Sequence, residues 1–292
     1  MFELIKSIAV DRKNSLPVAD FNARYRATGT PVVFGDLTQH WQASKKWSQD
    51  YLATKAGSLQ VPIYSSSVSL NHGRPYQPVL HSSLKAYLEK LGSRKSDFRV
   101  SKLPLKSVPK LQGDFLYPRL GFDFNINSSS LSIGGAGVIE PITQSSSIVH
   151  TVRCNFGDRV TVLLIPPEQS EFMYRVGDSQ NSVRDINLDQ PNLEKYPALR
   201  ELSGYVAELD FGDALYIPAG FWYCASYQGV GITLSLEAFR GSFTQYAGAV
   251  TNAIYNRLAS SLPLRQARFK RLEERAVAKT NARLSVSKPN SR

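Results

Sequence analysis

Along the first hundred residues the apolar positions follow two different periods. Over 17–28, Val18, Phe21 and Tyr25 recur at the step of a helix with one buried side, and Gly29 follows as a stop. Residues 31–34 are short, apolar and rich in valine, the pattern of a buried strand. Beyond Trp41 and Trp47 the spacing predicts a helix around 49–55 closed by Gly57, then a strand over 61–64. Leu84, Tyr87, Leu88 and Leu91 mark a further helix over 82–91, with Gly92 after it, and the proline-punctuated 104–118 reads as irregular.

From 131 to 239 the period changes. Residues 131–134, 148–154, 160–165, 204–208, 214–217 and 231–236 are β-branched or apolar runs bounded by Gly, Pro, Asp and Ser. Short strands at this spacing predict an antiparallel barrel or sandwich. A helical pattern resumes over 242–262, breaks at Pro263 and continues to about Ala282, with Leu264, Ala267, Phe269, Leu272 and Ala276 as a partial apolar stripe. No internal repeat is visible. The expected architecture is an all-β core with flanking helices. Helix and strand elements fill 1–130, a barrel fills 131–240, and C-terminal helices fill 241–292.

Composition narrows the class. Of 292 residues, 42% are hydrophobic and 11% aromatic, enough for a sizeable core and incompatible with global disorder. Two cysteines exclude a disulfide scaffold and any Cys-rich zinc module. No apolar run approaches the ~18–20 residues of a membrane span, and Met1-Phe-Glu-Leu-Ile-Lys6 lacks the apolar segment of a signal peptide. A cytoplasmic protein is therefore expected.

The charge is uneven. The chain is +11, and residues 264–292 hold nine basic side chains against Glu273 and Glu274, leaving +7 there and +4 on the rest. A basic helix suits nucleic acid, an anionic membrane surface or an acidic partner. The competing reading is the solvated face of a terminal dimerisation helix, and no DNA- or RNA-binding signature accompanies the charge. The expected partners are a second copy through the C-terminal helices, and an acidic protein or RNA through 264–292.

Several segments line up, in order, with one family. They are Gly29-Thr-Pro-Val-Val-Phe34 followed by Trp41 and Trp47-Ser-Gln-Asp-Tyr-Leu52, then Ile133-Gly-Gly-Ala-Gly-Val-Ile-Glu-Pro141. Phe156-Gly-Asp-Arg-Val-Thr-Val-Leu-Leu-Ile-Pro-Pro-Glu168, Asp189-Gln-Pro-Asn-Leu-Glu-Lys-Tyr-Pro197 and Phe211-Gly-Asp-Ala-Leu-Tyr-Ile-Pro-Ala-Gly-Phe-Trp222 follow. Together they resemble the cupin-like JmjC proteins from about Phe21 to Phe239. The resemblance implies a double-stranded β-helix that binds Fe(II) and 2-oxoglutarate and hydroxylates a protein, tRNA or small molecule. It also implies a facial triad of two His and one carboxylate.

The chain departs from that pattern at the chemistry. Where the family reads T-P-x-H-x-D, this sequence reads Glu140-Pro-Ile-Thr-Gln-Ser145, so Thr143 and Ser145 stand in the first two ligand places. Tyr223 replaces the third, the His of P-x-x-W-W-H. The histidines are His40, His72, His81 and His150, and none has Asp or Glu two residues on. The cosubstrate lysine of the family corresponds to Arg159, its assisting threonine to Glu140, and its last-strand asparagine to Glu237.

Two readings follow. In one, the barrel has lost iron chemistry, takes no cofactor and acts as a binding or regulatory protein, with Glu140, Glu237, Arg159 and His150 in a polar interior network. In the other, Glu140, His150 and Glu237 form a relocated site for Fe(II) or another divalent metal, keeping an oxygenase activity. The plainer alternatives are that His150 is a hydrogen-bonded core residue and that Glu237 pairs with Arg159 or Arg153. Trp222 borders the pocket or is simply core. Cys154 and Cys224 read as small buried hydrophobes, with Cys224 turned away from the pocket by strand alternation.

Overall fold

A computed structural model describes residues 6–66, 77–91, 97–176, 186–239 and 265–287, with side chains of the last helix over 271–283. The N-terminal half contributes β1 (Lys6–Ala9), β2 (Asp11–Lys13), α1 (Val18–Phe21), β3 (Val32–Phe34), α2 (Ala43–Lys46), α3 (Gln49–Ala56), β4 (Gln60–Ser65), β5 (Leu80–Ser83), α4 (Leu84–Lys90) and β6 (Phe98–Pro104). The barrel strands are β7 (Ser130–Gly134), β8 (Thr143–Gln144), β9 (Val149–Asn155), β10 (Val160–Ile165), β11 (Ser203–Leu209), β12 (Ala214–Ile217), β13 (Trp222–Tyr227) and β14 (Gly231–Phe239). Helix α5 spans Arg265–Ser287.

The strands form two sheets. The smaller runs β1-β11-β10-β13-β8 and the larger β2-β3-β12-β9-β14-β7-β6-β4-β5. Their facing sides meet in an apolar cluster of Val33, Val160, Val162, Leu164, Leu215, Ile217, Tyr223, Ala225 and Tyr227. The outer side of the larger sheet packs Val152, Cys154, Tyr216 and Leu234 against the N-terminal helices and Trp41, Trp47 and Phe115. The outer side of the smaller sheet packs Leu163, Ile165, Trp222 and Cys224 against residues of 172–176 and 186–202 and Ala276 of α5. This is the double-stranded β-helix expected, covered on both flanks.

Burial on two faces explains the sequence pattern. β9, β10 and β13 are buried at every position, so β10 reads almost wholly apolar, while β9 carries His150, Thr151, Arg153 and Asn155 into the protein. Helix α3 is set by Ser48, whose hydroxyl accepts from the Tyr51 amide at 3.2 Å, and α4 by Ser83 in the same way. The 17–28 helix is real but short: α1 passes into a wider turn over Asn22–Arg26. Several strands carry no clear sequence signal. β5 takes the start of the segment expected as helix, and β6 precedes the irregular stretch. β13 hides in an aromatic run, and β1, β2 and β8 are short. The 242–262 helix and His72 lie outside the described residues. Strands β4 to β6 extend the larger sheet through the β6–β7 pairing, so the sheet runs across the expected 130/131 division.

Candidate functional site at the barrel mouth

The barrel's interior polarity begins at Glu140. Its segment runs beside β13, with Ile139 bridging Ser226 and the Glu140 amide donating to the Ala225 carbonyl at 2.7 Å. Arg153 enters from β9. Its guanidinium grips the Glu140 carboxylate with both ends, Nη1 to Oε2 at 2.9 Å and Nη2 to Oε1 at 2.8 Å. The Tyr227 hydroxyl donates to Oε1 at 2.6 Å, and Arg153 Nη2 also reaches Tyr227 Oη and Thr233 Oγ1. Arg153 Nε is buried with no hydrogen-bond partner among the described residues.

Room for the Tyr227 ring comes from two glycines. Gly134 and Gly231 are cross-strand partners on β7 and β14. A Cβ on Gly231 would lie 2.3 Å from Tyr227 Cδ1, and one on Gly134 3.3 Å from it. The ring therefore lies across a stretch of bare backbone that delivers its hydroxyl to Glu140.

Electrostatics fix the protonation. Burial alone would drive the Glu140 carboxyl upward. Attraction and hydrogen bonding from Arg153, the Tyr227 hydrogen bond and nearby Arg99 outweigh burial and hold it at about 2. Against its own desolvation cost, Glu140 holds Arg153 charged, and burial followed by Glu140 pushes the Tyr227 phenol up.

Thr143, Ser145 and Tyr223 are the positions that the resemblance puts in the family's ligand places. Tyr223 on β13 is the direct cross-strand partner of Thr143 on β8. Ser145 lies two residues further, with its hydroxyl donating to the Phe221 carbonyl at 3.1 Å. Glu237 faces inward from β14, beside Thr151 of β9, and is half-buried.

One member was missed in the sequence. Lys102 sits in an irregularity of the β6–β7 ladder between Val100 and Leu103, with φ +48°. Its Nζ lies 5.9 Å from the Tyr223 ring centroid. Tyr223 first, then Glu237 and Glu140, raise its pKa against the opposing cost of desolvation. Lys102 is exposed.

Three expected members belong elsewhere. Arg159 is exposed and bonds Asp210 through Nε at 2.7 Å, with Glu208 alongside. Strand alternation turns Val160, not Arg159, into the barrel. His150 faces the N-terminal layer, stacked with Tyr216 and tilted against Phe122, and its Nδ1 accepts from the Ala219 amide at 3.2 Å. That places the ring on the opposite face from Glu140 and Glu237, so the three do not converge. Trp222 is fully buried on the outer side, donating from Nε1 to Ser170 Oγ at 2.8 Å, so it does not border the pocket. Cys224 also faces outward, and burial pushes both thiols up, Cys154 and Cys224 alike.

The chain belongs to the cupin-like domain family, whose pattern matches residues 18–239. Among curated proteins it is similar to the Arabidopsis thaliana lysine-specific demethylase JMJ30, 26% identical over 224 residues covering 73% of this chain and 51% of that protein. It is 24% identical over 220 residues to the human tRNA wybutosine-synthesizing protein 5, covering 65% of this chain and 66% of the relative. It is also 24% identical over 229 residues to JmjC domain-containing protein D of Dictyostelium discoideum, covering 70% and 50%. The chain spans between about half and two thirds of the length of these relatives.

The residues at the mouth do not fit the Fe(II) that the resemblance implies. Thr143, Ser145 and Tyr223 offer neutral hydroxyls, poor ligands for Fe(II) beside imidazole and carboxylate. The carboxylate deepest in the barrel is already engaged by Arg153. Among the described residues no group of three or more His, Cys, Asp and Glu side chains is placed to hold a metal. No helix of the described residues is long and apolar enough to cross a membrane.

Proposed function

We propose that this chain is a JmjC-type barrel that has exchanged iron chemistry for recognition, acting as a binding or regulatory protein. The observation that supports it best is the Arg153–Glu140 pair. A guanidinium fork, a phenol and a threonine hydroxyl converge on a carboxylate that belongs to the chain itself. The mouth above offers Lys102, Tyr223, Glu237 and Thr143, a set suited to holding a polar group of a partner. Relatives named for acting on lysine side chains and on tRNA favour a macromolecular partner over a free metabolite.

The test is elemental analysis of the purified full-length protein, together with 2-oxoglutarate turnover in the presence of added Fe(II). The expected result is no stoichiometric Fe, Mn or Co and no succinate release. Metal-dependent succinate release that disappears in Tyr223→Ala overturns the reading. A homodimer through the C-terminal helices would have to use surface other than Leu272, Ala276 and Val277, which pack within the chain.

A further inference from the structure

Helix α5 is docked by one side only. Leu272, Ala276 and Val277 pack into the outer cluster of the smaller sheet, Thr280 is buried, and Asn281 Oδ1 accepts from the Tyr174 hydroxyl at 2.6 Å. This docking fixes which side faces outward. The exposed positions over the described side chains are Arg271, Glu274, Arg275, Ala278, Lys279, Ala282 and Arg283. Four cations thus recur every fourth residue, at steps of about 6 Å, over about 18 Å of helix. None of the four makes an ion pair or hydrogen bond among the described residues.

We infer that this stripe is a binding surface for the phosphate backbone of a double-helical nucleic acid. Three observations select that partner. Over the described side chains, 271–283, the helix spends its large apolar residues Leu272 and Val277 inside the protein, so this stretch has none to insert into a lipid surface. Over the described side chains, 271–283, the outward face carries no large apolar or aromatic residue, so this stretch lacks the buried anchors that a protein partner needs. The same lack of aromatics removes the stacking platform for unpaired bases, leaving a rigid row of positive charge that matches a regular row of phosphates. Binding through phosphates alone is indifferent to base sequence.

The experiment measures fluorescence-anisotropy binding of the full-length protein to a 20-base-pair DNA duplex, the matching RNA duplex and an acidic peptide, from about 50 to 200 mM salt. Four phosphate contacts predict a log–log salt slope of about −3.6, roughly a hundredfold loss across that range. The variant Arg271→Gln, Arg275→Gln, Lys279→Gln, Arg283→Gln abolishes duplex binding while circular dichroism stays unchanged. The three-fold variant Arg271→Lys, Arg275→Lys, Arg283→Lys, which keeps all four charges with Lys279, retains binding. A control carrying Lys45→Gln, Lys55→Gln, Lys106→Gln and Lys110→Gln removes equal charge from the layer across the barrel and leaves binding intact. Absence of duplex binding at 50 mM salt, equal loss in both glutamine variants, or tighter binding to the acidic peptide overturns the inference.

Discussion

Removing one member of the Arg153–Glu140 pair leaves the other charged and dry. Each is surrounded by protein, and Glu140 also holds the Tyr227 hydroxyl. Glu140→Gln is therefore expected to cost ~3–5 kcal/mol of unfolding free energy at neutral pH, whereas Glu140→Leu with Arg153→Met stays near wild type. Chemical denaturation of the two variants checks this. The same carboxyl sets an acid limit. Its folded pKa lies at about 2, below its ordinary 4.5, so its stabilising contribution is whole above about pH 4.5 and disappears as pH falls towards 2. An acid titration of stability should show that decline in the wild type and a flatter course in Glu140→Gln. At this scale the sequence was half legible. Glu140, Tyr223 and Thr143 were found by their place in a motif. The partner of Glu140 was not, because a single chain carries no record of which strand crosses which, and Glu237 was the carboxylate read as pairing with Arg159 or Arg153.

At the scale of the element, alternation decides what the barrel contains. A strand turns successive side chains to opposite faces, so a one-residue error changes the compartment entirely. Arg159 next to Val160 and His150 next to Thr151 both show it: the polar residue that drew notice faces out, and its plain neighbour faces in. Lys102 escaped for another reason. No glycine or asparagine marks the irregularity at β6, and a lysine at φ +48° has no signature in composition. The glycine pair is the opposite case, visible in sequence but silent about purpose until Tyr227 is seen lying across it. Gly231→Ala should displace that ring and cost ~1–3 kcal/mol. Combining it with Tyr227→Leu should cost less than the sum of the two single changes, because each removes the same contact. Thermal or urea unfolding of the four-member cycle measures the coupling.

Across the whole molecule, the fold class was readable because strand-like runs at short intervals admit few architectures. The way the two sheets are tied was not. β1 and β2 are one continuous stretch that changes sheets at Val10: β1 lies parallel to β11, and β2 lies parallel to β3. Arg12 then ties the second half to Asp213 and to the Glu208 carbonyl. Nothing in the polar composition of Lys6–Lys13 announces this, since β1 is exposed throughout. Without β1, the edge of β11 would stand open for pairing with another copy. A chain shortened to begin at Val10 is expected to self-associate with rising concentration, which light scattering would register.

That arrangement has a consequence in time. The partner of Lys6 is Ser203, nearly two hundred positions later in translation. At ~5–20 residues per second the ribosome needs ~10–40 s to make the strand on which the earliest residues rest. For that interval the nascent chain carries an unmatched ribbon, whose pairing waits on a strand translated long after it.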